Sequence, residues 1–342
     1  MDNSPHVRFQ ATDRSYLALL KKGISQIAGQ VGFQPHRLSE IDLIVAEMAS
    51  NLIKHAGGGD VLVRHFRTND NSGLELISID NGPGMTDPAK MMEDGVSTTG
   101  TLGHGLGSIK RLADQAQLYS LKGWGTILLV RIFRNPVANT PPGFEFRSLL
   151  VPKPGETLCG DGCSVKLMPG HIKLFLGDGL GHGPEANAAV QAAIKAFRLC
   201  PDHRPIDIIR HIHRSVNKTR GLVGSVVVYD TQTRQWTWCG VGNISTRLSG
   251  PMITKNFLPY NGIIGMNLPH TMNDHVLPLE RGQLLVMCSD GLQSRWDHLK
   301  YPFILRYDLT ILAAALYKDY ARQTDDSSLF IGRMQRDYGG VS

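Results

Sequence analysis

Four aspartates in the second half of the 342-residue chain give the first chemical signal. Asp161, Asp178 and Asp290 each stand next to glycine, and Asp325 opens an Asp-Asp pair. Carboxylate oxygens are the ligands that Mg²⁺ and Mn²⁺ prefer. Two such ions can activate water and hold phosphoryl oxygens, so no covalent enzyme intermediate is needed. A single Asp-Gly is ordinarily a turn, but four such sites at predicted strand ends indicate a metal-dependent phosphoester hydrolase.

A different set of polar residues, in the first half, suits a nucleotide. Glu47 and Asn51 are four residues apart in a helical pattern, so they share one helix face. The Asn51 carbonyl oxygen can bind Mg²⁺, which takes few protein ligands, and Glu47 can polarise an attacking hydroxyl. Asp80 follows a predicted strand and can accept a hydrogen bond from a base amine. We therefore predict an ATP site with Glu47 as its catalytic residue.

Several glycines lie near these polar residues in the sequence. Because glycine has no side chain, the phosphates of a nucleotide could approach the backbone closely there. Two of them follow Asp80, and three precede a predicted helix, whose N-terminus favours phosphate. A lone glycine cluster is usually a plain turn, and only the order and spacing of the whole set argue for a nucleotide site. The candidate glycines are Gly82, Gly84, Gly103, Gly105 and Gly107.

The spacing of apolar residues predicts the elements that position these groups. Helices are predicted over residues 38–52, 108–116, 185–197, 206–217 and 309–320. Strands are predicted over residues 60–66, 74–79, 126–133, 165–168, 172–176, 225–229, 236–239 and 284–288. Mixed elements of this kind predict an α/β or α+β chain.

Length and composition predict two ordinary domains. Three prolines and a glycine between residues 136 and 143 stop a predicted strand. We therefore expect a first domain over residues 1–135, a linker over 136–143 and a second domain over 144–342, held close together by the short linker. Hydrophobic residues make up 42% of the chain and charged residues 19%, which is typical of a globular protein.

Composition also narrows the location and the class of partner. The longest apolar runs fall short of the roughly 20 residues of a membrane span, and the first residues lack an export signal. The five cysteines have no CxxC spacing, which predicts reduced core thiols. Although the net charge is +6, lysines and arginines are spread along the chain, which argues against nucleic acid. We expect a cytoplasmic protein with no membrane or nucleic-acid partner.

The first half resembles the GHKL ATPase superfamily over about residues 10–133, and the stretch EMASNLIKHAGGG at residues 47–59 is especially similar to the RsbT and RsbW anti-sigma serine kinases. The resemblance implies a Bergerat-type α/β sandwich in which Asn51 binds Mg²⁺ and Asp80 reads adenine. It also implies that segment 85–102 covers ATP as a lid and that Thr126 contacts the nucleotide.

Members of this superfamily catalyse different reactions, so membership does not fix the chemistry. Fewer than 40 residues precede the predicted Glu47 helix, too few for the phospho-accepting hairpin of a histidine kinase. The gyrase, MutL and Hsp90 relatives need long transducer segments, and here the second half takes their place. A small serine kinase is the architecture that remains.

The second half resembles the PPM-type serine/threonine phosphatases of the SpoIIE and RsbX branch over about residues 144–333, most clearly in LGDGLGHGPEA at residues 176–186. The resemblance implies a β-sandwich flanked by helices that binds two Mn²⁺ or Mg²⁺ ions. It makes Asp178 the bridging and catalytic ligand, adds the Gly179 carbonyl, and assigns one ion to Asp161 and the other to Asp290 and Asp325. The last motif here is Asp325-Asp326-Ser327-Ser328, whereas the family usually has a threonine after the acidic pair and one intervening residue. Asp326 is therefore an alternative to Asp325.

His182, in the same motif, has two interpretations. Its imidazole can donate a proton to the departing serine oxygen, or it can simply order the turn before the next helix.

These patterns predict a bifunctional bacterial switch, an ATP- and Mg²⁺-dependent serine/threonine kinase joined to a metal-dependent phosphatase. The resemblance implies a STAS-domain, anti-sigma antagonist partner in a sigma-factor circuit, and both families often form homodimers. Two alternatives remain open. The ATP domain either senses nucleotide for the phosphatase without transferring phosphate, or it is a binding module that sequesters a sigma factor or antagonist.

Overall fold

The computed structural model describes residues 4–13, 16–67, 71–92, 105–135 and 144–334. Its first half is an antiparallel sheet with helices on one face. The strands are β1 Val7–Ala11, β2 Gly59–Arg67, β3 Ser72–Ile79, β4 Gln115–Leu121 and β5 Gly125–Phe133, in the order β1-β2-β3-β5-β4. The helices are α1 Tyr16–Gly29, α2 Pro35–Ala56, α3 Pro88–Met91 and α4 Gly105–Leu112.

Helix α2 carries the two polar groups predicted to face ATP. Pro35 opens it, where a missing N–H costs nothing. Gly57, with φ 71°, closes it in the left-handed conformation that glycine adopts most readily. Its apolar face is buried in the same core as β2 and β3, which leaves its polar positions turned toward α4.

The second half is a sandwich of two antiparallel sheets with helices outside. One sheet has the order β13-β10-β9-β8-β7 and the other β12-β11-β14-β15-β6. The strands are β6 Phe144–Val151, β7 Asp161–Met168, β8 His171–Gly179, β9 Leu222–Asp230, β10 Gln235–Val241, β11 Ser245–Ser249, β12 Thr254–Phe257, β13 His275–Pro278, β14 Leu284–Cys288 and β15 Ser327–Met334. The helices are α5 Pro184–Leu199, α6 Pro205–Ser215 and α7 Leu309–Tyr320, with 3-10 turns at His298–Lys300 and Ile304–Arg306.

Helix α7 joins the two halves. Helices α5 and α6 cover the β7–β10 sheet, whereas α7 covers the opposite sheet of the sandwich, over β6 and β15. The other side of α7 packs on Ile77, Ile79, Ile127 and Leu129 from the helix-free face of the first sheet. One apolar core therefore runs from the N-terminal sheet through α7 into the sandwich.

The mixed fold class is confirmed, and the predicted element types agree with the structure except at two helix ends. The helix predicted over residues 108–116 ends at Leu112, and Gln115 begins β4. The prediction was wrong there because Ala116 pairs with Val130 of β5, and the residue spacing alone does not separate a helix end from a following edge strand. The helix predicted over 206–217 ends at Ser215. The predicted linker, 136–143, lies outside the described residues.

All five cysteines are free and buried, as predicted. Within the described ranges, no helix combines the length and apolar character that crossing a bilayer requires.

Candidate functional site

Asp161 and Asp178 lie directly opposite each other on the paired strands β7 and β8. Asp161 is 3% exposed, and no described residue donates a well-aligned hydrogen bond to its carboxylate, although the hydroxyls of Ser289 and Ser328 lie close enough to favour its charged form. A buried anion with so little support is costly unless a cation or proton neutralises it. Next to Asp178, a Cβ on Gly179 would overlap the backbone of Ala186, so the chain after β8 needs glycine.

Asp290 and Asp325 reach the same cluster from two other segments. Asp290 follows β14, and Asp325 precedes β15, strands that pair with each other. The charges of both aspartates act on Asp178. Asn243, which was not among the predicted site residues, donates from Nδ2 to Asp290 Oδ2 at 2.8 Å. The structure thus brings together all four predicted carboxylates.

Asp326, the alternative to Asp325, has a different environment. Its Oδ1 accepts from the Lys153 amide at 2.9 Å and its Oδ2 from the Gly160 amide at 2.9 Å. Asp326 is 3% exposed, whereas Asp325 is half-buried and accepts, through one oxygen, only from the Asp326 amide among the described hydrogen bonds. Asp326 therefore closes the segment 153–160, and Asp325 keeps an oxygen for a ligand.

Crowding shifts the acidity of the cluster. Burial, reinforced by the charges of Asp161 and Asp290, raises the pKa of Asp178 to about 10. Burial is also the main reason that the pKa of Asp161 rises to about 7. Burial and the charge of Asp325 raise the pKa of Asp290. Like charges this close repel unless a cation neutralises them, so the donor set and its electrostatics fit divalent metal ions.

His182 lies on the loop between β8 and α5 and is 47% exposed. Its Nδ1 is 2.7 Å from Glu156 Oε1, a partner that the sequence did not suggest. Glu156 belongs to the segment 153–160 that Asp326 closes. Because the carboxylate engages Nδ1, the imidazole is oriented with Nε2 turned away from Glu156.

Glu47 and Asn51 face the start of α4 in the first half. A Cβ on Gly105 would lie 2.9 Å from Glu47 Oε2 and 3.7 Å from Asn51 Oδ1. Asn51 Nδ2 is buried and, among the described residues, makes no hydrogen bond. Such an unused buried amide fits a site completed by a ligand. Gly107 is buried two residues further along α4, while Gly103 and most of the predicted lid, 85–102, lie outside the described residues.

Asp80 stands at the end of β3, held by backbone donors. Its Oδ1 accepts from the Gly82 amide at 2.8 Å and from the Thr126 amide at 3.1 Å. Burial raises its pKa. Thr126 acts here through its amide, because its hydroxyl pairs with Ser120 Oγ at 2.9 Å. Gly84, with φ 70°, has no room for a Cβ beside the Leu121 carbonyl.

The two halves match two different protein families. Residues 9–132 match the histidine kinase-like ATPase domain, and residues 168–331 match the stage II sporulation protein E family. The chain is 39% identical over 100 residues to the serine/threonine-protein kinase RsbT of Bacillus subtilis strain 168, a match covering 29% of this chain and 75% of RsbT. It is 30% identical over 144 residues to the phosphoserine phosphatase RsbX of the same organism, covering 41% of this chain and 70% of RsbX.

Two solved structures are similar to this chain over somewhat more than half of its length. A chain from a structure described as the bacterial stressosome, a modular system adapted to control secondary messenger signalling, is 30% identical with a TM-score of 0.53, and the match covers 56% of this chain and 99% of that one. RsbX crystallised with magnesium has a TM-score of 0.51 at 23% identity, covering 58% of this chain and 99% of RsbX, which supports a common fold.

Proposed function

The chain belongs in its first half to the histidine kinase-like ATPase family with RsbT, and in its second half to the SpoIIE family of PPM-type serine/threonine phosphatases with RsbX; from this premise we propose a bifunctional signalling enzyme. Its first domain phosphorylates a serine or threonine of a partner protein, and its second domain removes the phosphate. The domains are residues 1–135 and 144–342, joined by the linker 136–143.

The phosphatase half rests on one observation, the buried carboxylate of Asp161 directly opposite Asp178, with the charges of Asp290 and Asp325 acting on Asp178. We assign one ion to Asp161, the other to Asp290 and Asp325, and both to Asp178, with the Gly179 carbonyl as a further ligand. Two bound Mn²⁺ or Mg²⁺ ions would supply an activated water and neutralise phosphoryl charge. Asp326, whose oxygens are both engaged by amides, positions the neighbouring backbone instead.

His182 serves this half as the proton donor to the leaving serine oxygen. Its Nδ1 pairs with Glu156 at 2.7 Å, so the carboxylate fixes the orientation of the ring. The serine alkoxide then leaves as a hydroxyl. Glu156 acts only through His182 and is a positioning residue.

The kinase half rests on Glu47 and Asn51 meeting the N-terminal end of α4. Asn51 would hold Mg²⁺ of the nucleotide, and Glu47 would orient or deprotonate the partner hydroxyl. Asp80, fixed by two amides, accepts from the adenine amine, with Thr126 supporting it. Gly105, where a side chain would crowd Glu47, lets the nucleotide phosphates approach the N-terminal end of α4.

The partner we favour is a STAS-domain protein of a sigma-factor circuit, as the family resemblance implies. The relatives RsbT, a serine/threonine-protein kinase, and RsbX, a phosphoserine phosphatase, support a serine or threonine as the modified residue. Running both reactions at once would consume ATP without net change. We therefore expect nucleotide or partner binding to favour one activity. A second candidate, a phosphatase that senses nucleotide without transferring phosphate, gains support from the core that α7 shares with both domains.

The test uses purified Asp290→Asn, which silences the phosphatase, with γ-labelled ATP, Mg²⁺ and the STAS protein encoded nearest the gene. We expect stable label on a partner serine or threonine, which wild-type protein with Mn²⁺ then removes. The double variant Glu47→Ala, Asp290→Asn should give no label while still binding ATP. ATP binding without label on any candidate partner would favour the nucleotide-sensing phosphatase instead.

A further inference from the structure

The turn between β4 and β5, residues 121–125, fits tightly against the loop that begins at Asp80, residues 80–84. The Gly123 amide donates to the Pro83 carbonyl at 2.7 Å. A Cβ on Gly84 would overlap the Leu121 carbonyl, and a Cβ on Gly125 would overlap the Asp80 carbonyl. Because no space separates the two segments, a displacement of the Asp80 loop must displace the turn.

The same turn is bonded to the last turn of α7. Trp124 Nε1 donates to both carboxylate oxygens of Asp319, each at 3.0 Å. Lys318 Nζ donates to the Trp124 carbonyl at 2.9 Å and lies 4.2 Å from the centre of the indole ring. Asp319 also accepts from Tyr301 at 2.8 Å and pairs with Lys300 at 2.7 Å. These contacts fix the turn to α7 by charge-assisted hydrogen bonds.

Immediately after α7, the chain runs beside the segment that carries Asp290. The Gln293 amide donates to the Tyr320 carbonyl at 2.9 Å, and the Arg322 amide donates to the Gly291 carbonyl at 2.8 Å. A Cβ on Gly291 would overlap the Asp326 carbonyl. The end of α7 therefore sets the positions of the two loops that carry Asp290 and Asp325.

Helix α7 is suited to move as one body. Its residues from Leu309 to Tyr317 are buried, between the N-terminal sheet on one side and the β6–β15 sheet on the other. Packed helices respond to a small local displacement by shifting as rigid units.

We propose that α7 couples the two sites, so that nucleotide binding at Asp80 changes the activity of the carboxylate centre through Trp124 and Asp319. The coupling rests on the proposed function, since it needs a nucleotide in the first domain and a phosphatase in the second. Coupling between two sites in a protein commonly amounts to about 5- to 150-fold.

The test measures hydrolysis of p-nitrophenyl phosphate by the full-length chain with Mn²⁺, with and without a saturating non-hydrolysable ATP analogue. We expect the analogue to change the wild-type rate at least about 5-fold. Trp124→Phe keeps the aromatic packing but loses the indole N–H, and should reduce this ratio below about 2-fold while nucleotide affinity and the nucleotide-free rate stay close to wild type. Asp319→Asn, a second variant, should act in the same way.

Trp236→Phe is the matched control, because Trp236 Nε1 also donates a buried hydrogen bond, to Gln283 Oε1 at 2.9 Å, but away from α7. It should keep the wild-type ratio. Hydrogen exchange supplies a readout that needs no activity, since nucleotide should change the protection of amides in residues 320–326 in wild type but not in Trp124→Phe. An inactive phosphatase with that exchange response would sink the proposed phosphatase activity, while showing that nucleotide binding still reaches residues 320–326 through Trp124.

Nucleotide binding and phosphatase activity with neither a rate ratio nor an exchange response would overturn the coupling alone. A ratio that persists in both Trp124→Phe and Asp319→Asn would also overturn it. Failure to bind nucleotide would overturn the coupling and the kinase proposal together.

Discussion

Arg131 of β5 and Asp308 at the start of α7 form a two-pronged ion pair across the boundary between the halves, with Nη1 to Oδ2 at 2.7 Å and Nη2 to Oδ1 at 3.0 Å. Arg131 Nε also contacts Glu75 Oε2 at 2.6 Å, and Arg147 Nη2 joins Asp308 from β6 at 2.7 Å. The pair is almost fully buried. The halves are therefore joined by a buried ionic network as well as by the apolar core around α7.

Removing Asp308 should strongly destabilise the chain. Asp308→Ala leaves two arginines without their shared anion and removes the N-cap acceptor of the Thr310 amide. Breaking a buried ion pair from one side typically costs about 3–5 kcal/mol, and we expect a loss of that size in the free energy of unfolding from urea denaturation. Asp87→Ala, which removes the cap of the short exposed helix α3, should cost about 1 kcal/mol or less. Equal losses in the two variants would contradict the network.

The network should also make the protein sensitive to acid. Burial opposes ionisation of Glu75, but Arg64 and Arg131 hold its pKa well below the usual value. Burial likewise opposes ionisation of Asp308, and Arg131 and Arg147 hold the pKa of Asp308 well below the usual value. A lowered folded pKa gives stability that is complete above the unfolded pKa, near 4. That stability is lost as pH falls through the folded pKa. The difference in unfolding free energy between wild type and Glu75→Gln should be constant above about pH 5.5 and shrink below about pH 4, and a constant difference throughout would refute this.

The spacing of apolar residues predicted the helices and strands well where that spacing was regular. The α7 helix is observed over the predicted residues, and β14 likewise, because each is a clean apolar segment with turn residues at both ends. Seven strands were not predicted: β1, β4, β6, β11, β12, β13 and β15. Glu75 and Arg131 read as ordinary polar positions of surface strands, and only the packing of α7 on that face buries them.

The candidate site shows the same limit. The glycine-flanked aspartates and the Glu47–Asn51 pair were found from spacing, whereas Glu156, Asn243 and the amide-bound state of Asp326 depend on contacts between distant segments. The single available cue for Glu156 was its place just ahead of the first metal-ligand motif. The roles of the individual residues remain predictions, which the following variants address.

Asp325→Asn and Asp326→Asn should fail in different ways. Asp325→Asn removes a ligand, so divalent-metal affinity and phosphatase rate should fall at least about 10-fold with little change in stability. Asp326→Asn weakens the acceptors of the Lys153 and Gly160 amides, so it should lower unfolding free energy by about 1–3 kcal/mol in metal-free protein. Calorimetric metal titration and urea denaturation distinguish them, and the reverse pattern would make Asp326 the ligand.

Asp178→Asn should stabilise the metal-free protein and abolish its stabilisation by metal. In the wild type, burial and the neighbouring carboxylates destabilise ionised Asp178, which is why its pKa rises to about 10. Near neutral pH the folded protein must therefore protonate Asp178, which costs free energy, whereas the amide is neutral without a proton; Tm in EDTA should rise by about 2–4 °C. Saturating Mn²⁺ should raise the Tm of the wild type above its value in EDTA, but it should leave the Tm of Asp178→Asn unchanged. A fall in Tm in EDTA would show that the carboxylate is held by donors rather than crowded by anions.

The pair Glu156 and His182 should matter only for a leaving group that needs a proton. Loss of a general acid typically costs about 100- to 10,000-fold, so His182→Ala should slow hydrolysis of a phosphoserine peptide at least about 100-fold. The same variant should slow the hydrolysis of p-nitrophenyl phosphate by less than about 3-fold, because the p-nitrophenolate can leave without a proton. Glu156→Gln should give a smaller loss on the peptide alone, because the imidazole loses the carboxylate that orients it. Equal losses on both substrates would instead make His182 a residue that orders the turn before α5.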